Sequence, residues 1–440
     1  MKKRMGLLAM LMLTALLFTG CAMRTVEEMY ALPKRSEEYN ELQSAIDTAM
    51  YGLTYSSPQS GENQQTVQMA DLDGDGVDEY LVFAKGASEK PLQVLIFTQE
   101  EDGTVRTMET LGFNGLAFEQ VEYVEFDENP GCELVVGIQV SDQVLRSVAV
   151  YSFGSGDAEL LLLNSYSKML ACNLSGDRNE LMVLRPGEEE TERGMAVLYG
   201  YENGQIVRSV ETELSEHTSQ IRRIMTGKLQ DGTNAVFVTS SSGENTIVTD
   251  IFTVKDGNFT NISYSREADT SVGTLMNYYV YAEDIDSDGI LELPGLISMK
   301  AVDNWGDNEQ KFLLRWYAMD SDGWEIDKMY TYHNYPGGWY VQLDSTWASR
   351  VTVEQDQRSY QFYVWDESYQ TADPLFTLYT FTGNDRDEVA VQDGRFALYR
   401  SEGVAYAAQL ELAAPEYGIT EKSLTESFHL IRQDWQTGET

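Results

Sequence analysis

The chain has 440 residues, 42% hydrophobic and 11% aromatic, which excludes a disordered acidic polymer and is too long for one ordinary core unless that core is repetitive. Its formal charge of −40, from 71 Asp and Glu against 31 Lys and Arg, argues against nucleic acid or anionic lipid headgroups as partners, since such a surface repels both and attracts cations. The three histidines, His217, His333 and His429, stand far apart, which argues against a zinc site and against Ser-His-Asp chemistry.

The first residues read as a targeting segment. Lys2, Lys3 and Arg4 precede an apolar stretch from Gly6 to Phe18, shorter than the ~20 residues that span a bilayer. It ends in Phe18-Thr19-Gly20-Cys21, which resembles the lipobox of bacterial lipoprotein signal peptides. That resemblance implies cleavage after residue 20, lipidation of Cys21 and anchoring to the extracytoplasmic face of the cell membrane; two acyl chains on one residue suffice for stable anchoring. No later stretch is apolar enough to span. Residues 21–64 read as anchor linker and helix. Helical spacing runs from Ser36, a candidate N-cap, to Gly52, with Tyr39, Leu42, Ile46 and Met50 on one face. The narrow stripe favours a helix packed on the next domain over a partner-binding helix.

From residue 65 the chain repeats. Asp71-x-Asp73-x-Asp75-Gly76-x-x-Glu79 recurs as Asp284-x-Asp286-x-Asp288-Gly289-x-x-Glu292. A weaker copy is Glu125-x-Asp127-x-Asn129 with Glu133; a fourth is Asn173-x-Ser175-x-Asp177 with Glu180; a fifth keeps only Asp231, Gly232 and Asn234. Each loop precedes an apolar run, a second apolar run ending in aromatics, and a glycine turn at Gly103, Gly156, Gly204, Gly257 or Gly323. From the third loop position to that glycine the distances are 28, 27, 27, 26 and 35 residues, the last unit carrying an insertion around Asp303 to Glu309. Asn-Gly and Asp-Gly suit two-residue hairpins because both residues tolerate positive φ. Each unit therefore reads as four antiparallel strands in about 50 residues, the pattern of a propeller blade. The fold class is mainly β: a β-propeller of five four-stranded blades, six if the C-terminal strands complete another, over residues 65–334, with a short N-terminal helix and a C-terminal α+β domain at 335–440.

The acidic loops followed by Leu/Val runs resemble FG-GAP/VCBS repeats, and their combination with a lipobox resembles lipoproteins of Gram-positive bacteria. The resemblance implies structural Ca²⁺ between the first two strands of a blade. Its ligands would be Asp71, Asp73, Asp75 and Glu79 with the Val77 carbonyl in the first unit, and Asp284, Asp286, Asp288 and Glu292 in the fifth. Glu125, Asp127, Asn129 and Glu133 form a poorer set, with Pro130 in place of a flexible residue. Calcium chemistry agrees, since it takes six to eight oxygens, and three close carboxylates repel one another without a cation. Metal-free Asx-turns are the alternative. An EF-hand would need a bidentate glutamate at the twelfth position, where Val82 and Gly295 stand.

Beyond Pro336-Gly337-Gly338, a candidate boundary, WYVQL, SRVTVEQ, YQFYVW, LFTLYTF, RFALYR and AYAAQLEL read as strands. One helix is expected from Ser423 to Trp435, capped by Ser423-x-x-Glu426, with Leu424, Phe428, Ile431 and Trp435 on one face. Trp339, Trp347 and Trp365 invite a carbohydrate-stacking reading, but strand aromatics are more often core. Cys132 and Cys172 would pair only with Cα atoms within ~7 Å, and no pairing is inferred.

No nucleophile elbow, nucleotide fingerprint or reactive cysteine setting is present, so the reading is non-enzymatic: a membrane-anchored module that binds an extracellular protein or glycan. A glycosidase or polysaccharide lyase using funnel carboxylates is the alternative, and an accessory subunit of a membrane complex is another.

Overall fold

The computed structural model describes residues 37–437 except 101, 127–129, 142–145, 155, 177, 188, 190–191, 203–204, 300–310 and 367–370. The signal segment, Cys21, Ser36, Asp127, Asn129, Asp177 and the insertion around Asp303 to Glu309 lie outside the described residues. Among the described residues, no helix is long and apolar enough to cross a membrane.

Among the described residues strands dominate, in six antiparallel sheets that follow chain order except for one late strand. The first runs Val67–Ala70, Glu79–Lys85, Leu92–Gln99, Val105–Phe113, with Thr54–Tyr55 extending its leading edge. The second runs Ala117–Val124, Glu133–Gln139, Arg146–Ser152, Glu159–Tyr166. The third holds Lys168–Cys172, Glu180–Arg185, Met195–Glu202 and Gln205–Arg208; the fourth holds Ile221–Lys228, Asn234–Ser241, Ile247–Lys255 and Asn258–Asn261. In the fifth, a single bridge between Glu283 and Glu292 stands in for the leading strand, before Leu293–Ser298, Phe312–Met319 and Glu325–Asn334.

Strand periodicity explains how these sheets stack. Successive side chains point to opposite faces, so central strands that are buried on both faces read as unbroken apolar runs. In the first sheet Leu81 and Phe83 join a core with Leu134, Val136 and Ile138 of the second, while Val82 faces the other way. Val135, Val148 and Val150 then meet Leu181, Val183 and Val197 of the third. Met182 and Leu184 meet Val236 and Val238 of the fourth. Phe237 and Ile251 meet Leu293 and Tyr317 of the fifth. Each fully buried Val, Leu or Phe contributes ~1.5–3 kcal/mol, so the second, third and fourth sheets each depend on both neighbours. The outer face of the first sheet packs against the helix Glu37–Ala49, whose Ile46 meets Val82, Leu95 and Phe97. The helix is thus a cover for the first sheet, as its narrow stripe suggests.

The expected two-residue Asp-Gly turn forms at Asp256-Gly257 only; at Asp102-Gly103 and Asp322-Gly323 the glycine alone has positive φ, and longer turns are closed by the Glu100–Thr104 and Asp320–Trp324 backbone bonds. Asp256 and Gly257, with φ of 50° and 73°, join Ile247–Lys255 to Asn258–Asn261 in a turn with both central residues at positive φ.

The C-terminal region differs from expectation in two ways. Pro336-Gly337-Gly338 is a hairpin turn, not a break: Trp339–Leu343 continues the fifth sheet beside Glu325–Asn334. All six strand candidates beyond it form, five of them in a sixth sheet ordered Val351–Asp356, Ser359–Asp366, Thr371–Thr382, Val404–Leu410, Phe396–Arg400. Second, the expected helix from Ser423 to Trp435 is broken. A helix Glu421–Ser427, capped by Thr420 rather than Ser423, gives way to a strand, Phe428–Leu430, that pairs with Trp339–Val341; a short helix Gln433–Thr437 follows. Leu424, Phe428, Ile431 and Trp435 are all buried, but in two different cores. The apolar positions were read correctly; their helical period was overridden by an open sheet edge, whose backbone bonds outweigh a weak local propensity. Trp339, Trp347 and Trp365 are 1%, 4% and 8% exposed, so they are core residues and not a ligand platform.

Candidate metal loops

The loops between the first two strands of the repeated units share one anchor. Glu79, at the start of its strand, accepts the Leu72 N–H at 3.0 Å. Glu133 accepts the Phe126 N–H at 3.0 Å, Glu180 those of Leu174 and Ser175 at 2.8 and 3.0 Å, and Glu292 that of Ile285 at 3.1 Å. All four glutamates are buried. The fourth unit has Asn234 in this place, whose Nδ2 donates to the Asn173 carbonyl of the third loop at 2.7 Å. Alternation along the strand puts the glutamate under the loop, where its carboxylate closes the turn through an otherwise unpaired N–H.

In the first and fifth units the loop aspartates converge on this anchor. Carboxylate oxygens of Asp71, Asp73 and Glu79 lie within 4.8 Å of one another, and those of Asp284, Asp286 and Glu292 do the same. Asp71 accepts N–H bonds from Gly74 and Gly76 at 2.8 and 3.0 Å; Asp284 accepts from Asp288 and Gly289 at 2.9 and 3.0 Å. These bonds orient the carboxylates inward. The other oxygen of each anchor, Oε1 of Glu79 and of Glu292, is buried without a hydrogen bond. A buried carboxylate oxygen left unpaired beside two further carboxylates is unfavourable unless a cation completes the group. The donor set therefore fits a metal ion.

Asp75 and Asp288 stand outside the two triads. Asp75 accepts the Val77 N–H at 2.7 Å, and Asp288 accepts the Ile290 N–H at 2.9 Å. Asp288 also pairs with Lys328 at 2.8 Å, which holds its carboxyl below the usual range. Sequence spacing could not reveal Lys328, which comes from Glu325–Asn334, a strand further along the same sheet. Burial raises Glu79, with the Asp73 and Asp75 charges adding to it against the Leu72 N–H and the nearby Thr98 hydroxyl. Burial likewise pushes Glu292 up to about 7.

The second loop supports the first. The Cys132 N–H and thiol both reach the Asp71 carbonyl, at 3.0 and 3.3 Å. Gly74, at φ +78°, admits no side chain, because a Cβ there would lie 2.2 Å from the Pro130 carbonyl oxygen. Pro130 thus supports a neighbouring loop. Cys132 and Cys172 are free thiols, both raised to about 12 by burial.

A cavity of about 520 Å³ opens at the ends of the leading strands. Tyr123 and Val124 of the second sheet, Cys172 and Asn173 of the third, and Thr226 to Lys228 of the fourth line it, with Gly289 from the fifth acidic loop.

No family model matches the chain, and no curated protein matches it. Among solved structures, the rhamnogalacturonan lyase YesW aligns at 12% identity over 73% of this chain and 64% of its own, with a TM-score of 0.29. This chain thus spans less than two thirds of that protein. A rhamnogalacturonan lyase from Bacillus licheniformis aligns at 14% identity over 73% and 72%, TM-score 0.27. A protein from Lactobacillus plantarum aligns at 11% identity over 72% and 85%, TM-score 0.28.

Proposed function

We propose that the chain is a calcium-stabilised scaffold of five propeller-type blades with an added C-terminal sheet, held at the bacterial cell surface through Cys21, that binds an extracellular protein or glycan. The observation carrying this reading is the repeated triad: two units far apart in sequence each gather two aspartates around a buried glutamate with an unsatisfied oxygen. All donors are oxygens, which suits Ca²⁺ over softer metals. The stacking of successive sheets, with three leading strands opening on one cavity, supports an arrangement about an axis. The gathered carboxylates close hairpin corners, which favours a scaffolding role over acid–base chemistry.

Thermal melts in EDTA and in millimolar CaCl₂ test the cation. A ligand at 100 times its Kd contributes ~2.7 kcal/mol per site, so the melting temperature should rise with Ca²⁺. Asp73→Ala and Asp286→Ala should each remove part of the rise, and the double variant all of it. An identical melt with and without Ca²⁺ would sink the proposal.

A further inference from the structure

A cavity of about 290 Å³ lies where the fifth sheet, the sixth sheet and the helix Glu421–Ser427 meet, and no acidic-loop residue lines it. Leu343, Trp347, Phe376, Ile419 and Leu424 form its floor, all of them buried. Side chains with open surface form its mouth: Asp344 and Glu426 are exposed, and Tyr417 is half-buried. Trp347 meets Tyr417 edge-on, with centroids 6.5 Å apart, so it fixes that ring without stacking over it.

The charge at this mouth is one-sided. Among the described residues no Lys, Arg or His lines the cavity. Asp344 takes the Thr346 N–H and hydroxyl on Oδ1, at 2.8 and 2.6 Å, which orients the carboxylate and leaves Oδ2 open. Glu426 is near Lys422, 3.8 Å away with both side chains well exposed, a pairing worth little. Partial burial raises the Tyr417 pKa, and Asp373, Glu416 and Asp366 raise it further against Arg350 alone. Five carboxylates therefore stand against two cations around an apolar floor. A neutral apolar ligand would cover those carboxylates without replacing their water, whereas a cation on an apolar stem satisfies both parts. Lysine and arginine have that form. The guanidinium is the less strongly hydrated of the two and stacks on aromatic faces.

We infer that this pocket receives an arginine side chain presented by an extracellular protein, its stem over Leu343, Ile419 and Leu424 and its guanidinium at Tyr417 beside Asp344 and Glu426. The volume is just below the ~300 Å³ at the small end of drug-sized pockets, which suits one long side chain with the rest of the partner outside. This deepens the binding-module reading, on which it rests, by choosing a protein as the partner, and it does not depend on Ca²⁺ in the acidic loops.

The test is ¹⁹F NMR of the full-length chain labelled with 5-fluorotryptophan, the Trp347 signal being assigned by its loss in Trp347→Phe. N-acetyl-arginine methylamide is the probe. It should shift the Trp347 signal saturably and leave those of the other tryptophans in place. The neutral isostere N-acetyl-citrulline methylamide and a methyl glycoside should not. Asp344→Asn keeps the Oδ1 acceptor for Thr346 and loses the charge; Glu426→Gln loses the second charge. Each should melt close to the parent and weaken the response at least threefold, and the double variant at least tenfold. A Trp347 signal that stays still up to the solubility limit of the probe, an equal shift with citrulline or the glycoside, or an unchanged response in the double variant overturns the assignment. Melts with and without CaCl₂ test the scaffold separately, so a silent Trp347 removes the arginine pocket and leaves that reading standing.

Discussion

Leu72 and Glu79 close the first acidic loop through a 3.0 Å hydrogen bond from backbone N–H to Oε2, while the second oxygen of Glu79 meets Asp71 and Asp73 unpaired. Ile285 and Glu292 repeat this in the fifth unit. One carboxylate thus serves the fold with one oxygen and, in the reading proposed above, would offer the other to a cation. Glu79→Gln and Glu292→Gln should separate the two roles. Glutamine retains an acceptor for the backbone N–H and removes the charge, so each variant should melt higher than the parent in EDTA and gain less from CaCl₂. A lower melting temperature in EDTA would show that the charge stabilises the empty loop.

Lys328 should set the two loops apart in affinity. Its ammonium lies 2.8 Å from Asp288 at the edge of the fifth triad, and the first loop's Asp75 has no such partner among the described contacts. A unit charge near the site costs on the order of 1 kcal/mol. In an Asp73→Ala background, Lys328→Met should bind Ca²⁺ about fivefold more tightly by calorimetry; unchanged affinity would assign Lys328 to packing alone.

Asp250 is the most densely bonded buried carboxylate described. It is 0% exposed and accepts from the Ser215 N–H at 2.8 Å, the Ser215 hydroxyl at 2.7 Å, Asn261 Nδ2 at 2.9 Å and the Ser271 hydroxyl at 2.6 Å. It ties the connection from the third sheet to two strands and a loop of the fourth. Asp250→Ala leaves these donors without their acceptor and should cost about 3 kcal/mol or more in urea unfolding. A loss under 1 kcal/mol would mean that water replaces the carboxylate freely.

His333 predicts the acid limb of stability. Burial pushes its pKa down from 6.5 to about 3, the ring stacking on Tyr340 at 4.8 Å and Trp435 at 5.5 Å. The unfolded chain then binds a proton that the folded chain does not, so this contribution is complete above pH 6.5 and lost as pH falls toward 3. His333→Phe should flatten the fall in melting temperature between pH 6.5 and 4. A parallel fall in parent and variant would assign acid sensitivity to the carboxylates instead.

Much of the architecture was readable because it is repeated. A five-fold recurrence of acidic loop, two apolar runs and a glycine turn specifies antiparallel hairpins without knowledge of their neighbours, and the strands Glu79–Lys85, Glu133–Gln139, Glu180–Arg185 and Asn234–Ser241 begin at the loop ends the spacing marks. The acidic anchors could be found for the same reason. Lys328, Pro130 and Cys132 could not be assigned their roles, because each meets a loop remote from it in sequence. The segment from Ser423 to Trp435 shows the limit most clearly: its apolar positions repeat at 3.6 residues, yet Phe428–Leu430 is a strand because Trp339–Val341 offers an edge.

Local order outside the segment from Ser423 to Trp435, then, was determined by the sequence alone: which residues of the repeated units form strands, where the chain turns, and which carboxylates share a loop. These follow from side-chain alternation, glycine conformation and charge spacing within about 50 residues. Which sheet each face buries against, which loop supports another, and that the chain's end returns to the fifth sheet were decided only by tertiary packing. Those choices rest on the shape and hydrogen-bonding capacity of surfaces that exist only once the sheets have formed.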